Sequence, residues 1–104
     1  MDVREEDFPV YQQLVKLGQS GVEQAKADFK AVVEGGDQEK YDFALGIQTI
    51  AANVPVGAIP GVTKEMNEKT LRSCLNIFKD VAIRGHADAV FMVAYFKAHG
   101  LGMS

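Results

Sequence analysis

The chain has 104 residues, 47% of them apolar and 24% charged, with a net charge of −3. That is room for one domain and the composition of an ordinary globular protein. It excludes a disordered tail, a collagen-like chain and a disulfide scaffold, since Cys74 is the single cysteine.

The start, Met1-Asp2-Val3-Arg4-Glu5-Glu6-Asp7, is acidic and polar. It lacks the basic stretch and apolar run of a secretory signal. Residues 1–7 are expected to form a flexible acidic leader, and 8–104 a single all-helical domain. Pro9 suits the first turn of a helix. Val10, Leu14 and Leu17 then share a stripe, and Gly18 is the stop, so helix A is predicted over 9–17. Ser20 and Glu23 have the spacing of a capping box. Val22, Ala25, Phe29, Val32 and Val33 follow at helical spacing, and Gly35-Gly36 ends helix B.

Asp37 is expected to cap helix C over 38–53. Helix C carries two apolar stripes, Phe43/Ile47/Ile50/Val54 and Tyr41/Ala44/Leu45/Ala52. A helix apolar on most sides is expected at the centre of its fold. Residues 53–62 contain two prolines, two glycines and no charge. Connections are normally polar and exposed, so an uncharged one stands out. Thr63 is the expected N-cap of helix D, 64–84, whose apolar face is Leu71, Cys74, Leu75, Phe78, Val81 and Ala82. Gly85 separates it from helix E, 86–99, which ends at Gly100. The run Ala89 to Phe96 is apolar throughout, which again points to a central helix. It is far shorter than the roughly 20 residues of a membrane span.

These elements predict an all-α fold of about five short helices, packed as a small bundle or as stacked α-hairpins. Helix pairs B–C and D–E share small patterns, such as Phe29-Lys30-Ala31-Val32 and Phe78-Lys79-Asp80-Val81. The segment Ala82-Ile83-Arg84-Gly85-His86-Ala87-Asp88-Ala89, with Ala94-Tyr95-Phe96 and Gly100-Leu101-Gly102, resembles a Sel1-like repeat, a relative of the tetratricopeptide repeat. The resemblance is mainly in residues 75–104. Helix C departs from it, with Lys40 near the position of an expected alanine, and the linker between the pairs is long for such repeats. The resemblance implies a protein-interaction scaffold without catalysis.

The chemistry-bearing residues support the same reading. His86 and His99 lie more than three helical turns apart, and no Cys-x-x-Cys or His-x-x-x-His spacing occurs. No metal or cofactor is therefore expected. Cys74 sits on the apolar face of helix D and reads as a small core residue rather than a nucleophile. Glu34, Asp37, Glu39 and Asp42 lie near helix ends, where capping and solvation account for them. Gly57 to Lys64 lacks the spacing of a phosphate-binding loop. Lys69, Arg72 and Lys79 share a stripe on helix D, but Glu65 and Glu68 stand four residues before Lys69 and Arg72 and are expected to neutralise them.

What remains is a surplus of apolar surface. Residues 1–52 carry ten acids and five bases, and residues 53–104 carry four acids and six bases, so opposite-sign ends could also meet between copies. The function expected is a cytoplasmic module that binds another protein or itself as a homo-oligomer, with Tyr41, Val56, Ile59, Val62 and Tyr95 at the contact. The alternatives are a nucleic-acid-binding regulator using helix D, 64–84, and an accessory subunit of an enzyme.

Overall fold

The computed structural model describes residues 3–18, 22–53, 55 and 57–102, without the side chains of residues 22, 25 and 28. The Ser20 cap, the Val22 and Ala25 side chains, Val54 and Val56 therefore lie outside the described residues. Within them the protein is all-α. A 3-10 turn at Glu5–Asp7 precedes α1 (Pro9–Leu17), α2 (Val22–Glu34), α3 (Asp37–Asn53), α4 (Lys64–Ile83) and α5 (Ala87–His99).

Local chemistry sets the ends. Pro9 opens α1, and Gly18 closes it in the left-handed region, with φ 66°. Thr63 Oγ1 accepts the Met66 N–H at 3.2 Å and so satisfies one of the free donors at the start of α4. At α3 the expected cap is replaced. Asp37 is the first residue of the helix, and Glu39 Oε2 instead accepts the Gly36 N–H at 3.2 Å. The Asp37 carboxylate is engaged elsewhere, by Arg84.

α2, α3, α4 and α5 pack in sequence order, each on the next, and α1 lies across α2, α3 and α4. The centre is α4, not α5. Thr70, Leu71, Cys74, Leu75, Ile77, Phe78 and Val81 of α4 are all buried. They are spread widely enough around the helix to meet α1 and α3 on one side and α5 on the other. α5 buries only Ala89, Met92 and Phe96, because its helix packing is chiefly against α4. An apolar sequence all round thus does not make this helix central.

Two ring clusters fill the core. Phe43 of α3 meets Phe8, Tyr11 and Phe29 with ring centroids 5.1, 5.5 and 5.4 Å away. Phe78 of α4 meets Tyr41 at 5.6 Å and Phe96 at 5.4 Å. Edge-on contacts of this kind add to the burial of the rings. The acidic leader, expected to be flexible, is exposed at residues 4–6 and is tied down where it meets α1. Ser73 Oγ donates to the Asp7 carbonyl at 2.6 Å, and the Val10 N–H donates to the buried Thr70 Oγ1 at 3.2 Å. Phe8 is then driven fully into the core.

Phe78→Ala should lower stability by about 3–5 kcal/mol, whereas Ile83→Ala, further along the same helix but outside the core, should stay within about 0.5 kcal/mol of wild type. Urea denaturation of the two proteins measures both effects.

Candidate contact surface

Start from α5. A helix resting on one neighbour buries little more than one stripe. Here the stripe is Ala89, Met92 and Phe96, with Val93 at its margin. The remaining apolar residues of the run face solvent. Phe91 is 66% exposed, Val90 54% and Tyr95 37%. Ile83, at the end of α4, is 85% exposed. The Tyr95 ring is tilted against His99 at 4.3 Å and lies nearly parallel to Phe91 at 6.4 Å, so one side of this face is a row of rings.

On its other side a groove of about 560 Å³ runs between α4 and α5. Lys79, Ala82 and Ile83 line it from α4. Val90, Val93, Ala94 and Lys97 line it from α5. Its surface is apolar except at the two lysines.

The turn between α4 and α5 is braced. Arg84 donates to both oxygens of Asp37, at 2.8 and 3.0 Å through Nε, and to both oxygens of Asp80, at 3.0 and 2.6 Å. The guanidinium hydrogen bonds hold both carboxyls below the usual carboxylate range. His86 caps α5: its Nδ1 accepts the Ala89 N–H at 3.1 Å. The ring proton is therefore on Nε2, where it is donated to Gln38 Oε1 at 2.9 Å. The same imidazole stacks on Tyr41, with centroids 4.5 Å apart.

The residues expected at the contact do not come together. Tyr41 is buried beside Phe78, and desolvation, followed by the charges of Asp88 and Asp42, pushes its phenol above the ordinary value. Val62 is buried and Ile59 half-buried. The Pro60 carbonyl accepts a hydrogen bond from Gln13 Nε2 at 2.8 Å, which ties the loop back onto α1. Pro55, Gly57, Ala58, Pro60 and Gly61 of the uncharged loop are exposed, whereas Ile59 and Val62 are not. Tyr95, by contrast, is exposed on α5. Sequence reasoning missed Ile83, Val90 and Phe91; the signal for them is the length of the α5 apolar run set against the small number of helices able to cover it.

The other candidate groups are engaged or covered. Burial pushes the Cys74 thiol far up, so it stays protonated. Asp42 accepts from Gln38 Nε2 at 2.8 Å, and Glu39 caps α3. Glu65–Lys69 and Glu68–Arg72 do not close to ion pairs among the described residues. No cluster of three or more metal-ligating side chains occurs among the described residues. No helix described is long and apolar enough to cross a membrane. Comparison with protein families, curated proteins and solved structures finds no match.

The Arg84 clasp has a signed pH dependence. A carboxyl held low in the folded state stabilises fully above its unfolded pKa of about 4, and that contribution disappears as pH falls through the lowered folded value. Asp37→Asn and Asp80→Asn should each be less stable than wild type at pH 7, and the difference should shrink as pH falls below about 4. Denaturation curves across that range check this.

Proposed function

We propose that this chain is a small helical module that acts by contacting another protein or a second copy of itself, and that it carries no catalytic centre of its own. One observation supports the reading above the others. The α5 run Ala89–Phe96 is apolar on every side but the helix rests chiefly on one neighbour, so Val90 joins Ile83 along the groove while Phe91 and Tyr95 stand exposed on α5. An isolated exposed leucine is unremarkable on a protein surface, but a contiguous apolar region of this kind marks a contact site.

The contact face is accordingly α5 with the end of α4, while Val62 of the uncharged loop is buried in the monomer's own core and Pro60 is tied to Gln13. Tyr95 belongs to the face, with an apolar ring and a polar tip suited to the edge of an interface. A reducing, cytoplasmic setting suits a lone buried thiol.

Phe91→Asp tests the reading. The side chain is mostly exposed, so the substituted protein should unfold at the wild-type temperature within a few degrees. Sedimentation at two concentrations should show wild type associating with itself, or immobilised wild type should retain a protein that immobilised Phe91→Asp lets pass. The reading is overturned by a wild type that stays monomeric at every concentration and that, when immobilised, captures the same proteins as Phe91→Asp.

A further inference from the structure

The groove between α4 and α5 differs from the rest of the exposed apolar face in its charge. Val90 and Ile83 lie toward one end of it, where the α4–α5 turn closes. Lys79 lies one turn before Ile83 on the α4 wall, and Lys97 two turns beyond Val90 on the α5 wall. Both lysines are exposed, and neither forms an ion pair among the described residues. The acids nearest in sequence do not serve them. Asp80 is taken by Arg84 through two hydrogen bonds. Asp88 stands nine residues before Lys97, which is two and a half turns, so it points from the opposite side of α5.

From Val90 to Lys97 the groove runs about 10 Å along α5, close to two turns of a helix. Ala82 and Ala94 lie on its two walls, and side chains this small leave room for another backbone to come near. The geometry points to an occupant of one kind: an acidic amphipathic helix of a partner protein, whose apolar side chains fill the Ile83–Val90–Val93 end and whose carboxylates reach Lys79 and Lys97. This is helix-in-groove recognition, with anchors spaced at i, i+3 or i+4 and i+7. A two-fold contact between copies through the same groove brings together four lysines and no carboxylate from either lining, which argues against a symmetric dimer here. A flat anionic membrane leaves the concave floor empty.

The inference rests on reading α5 as a contact face, and its test can fail separately from that reading. The probe is a designed fluorescent helical peptide with leucines at i, i+3 and i+7 flanked by glutamates. Its twin carries lysines in place of the glutamates. Wild type should bind the acidic peptide about tenfold more tightly than the twin, a difference that salt reduces. Lys79→Glu/Lys97→Glu, folded as judged by its circular dichroism, should reverse the preference. Ala94→Trp should abolish binding of both peptides by filling the floor. Equal binding of the twins, no binding, or binding indifferent to the lysine substitutions overturns the inference, as does binding to phosphatidylserine vesicles in place of the peptide. If Phe91-dependent association persists while the acidic peptide fails to bind, the groove assignment alone is lost.

Discussion

Phe78 is the residue on which both ends of the molecule meet. Its ring lies 5.6 Å from Tyr41 of α3 and 5.4 Å from Phe96 of α5, and it is fully buried. Because one side chain of α4 contacts helices on both sides, α3 and α5 cannot also pack extensively on each other. α3 gains a second neighbour in α2, but α5, last in the row, has none. The exposed face of α5 is therefore a consequence of topology: the row ends there, and its last helix has the composition of an interior one.

The turn after α4 makes that end rigid. Gly85 adopts φ 92°, a region open to glycine at little cost, and places His86 beyond it. His86 then does three things with one ring. It caps α5, hydrogen bonds Gln38 of α3 and stacks on Tyr41. Arg84 adds a second tie from the same turn to Asp37 and Asp80. At the far end Gly100 closes α5, and Leu101 N–H returns to the Phe96 carbonyl at 2.9 Å. The groove's walls are therefore held relative to each other at the α4–α5 turn, a pre-organisation that would favour the proposed contact.

Much of this is legible in the residues. The extents of α1 and α4 and the Thr63 cap follow from apolar spacing and capping chemistry, because those depend on neighbours in sequence. Neighbours in space are another matter. Asp37 reads as a cap until Arg84, 47 residues away, claims its carboxylate. Residues 1–7 read as a polar leader, until Ser73, 66 residues away, supplies a partner for the Asp7 carbonyl. The α5 run reads as central because an apolar circumference is the rule for surrounded helices. Here the more polar α4 occupies the centre instead. It does so by spreading seven buried residues widely around its axis while keeping its charges on what remains.

An exposed apolar face is also a hazard, since any apolar surface can stick to it. The charges around α5 narrow the choice. Lys79 and Lys97 stand on the groove side, Asp88 on the far side, and the ring row of Phe91 and Tyr95 runs between them to His99. A partner that brings only apolar side chains strips water from two lysines and gives them nothing in return. One that brings cations meets repulsion at the rim. Discrimination here comes as much from the cost imposed on the wrong partner as from the fit of the right one. On the proposed helix-in-groove contact, the lysines would make indiscriminate contact with the α5 run unfavourable, while the carboxylates of a suitable helix would restore what burial removes.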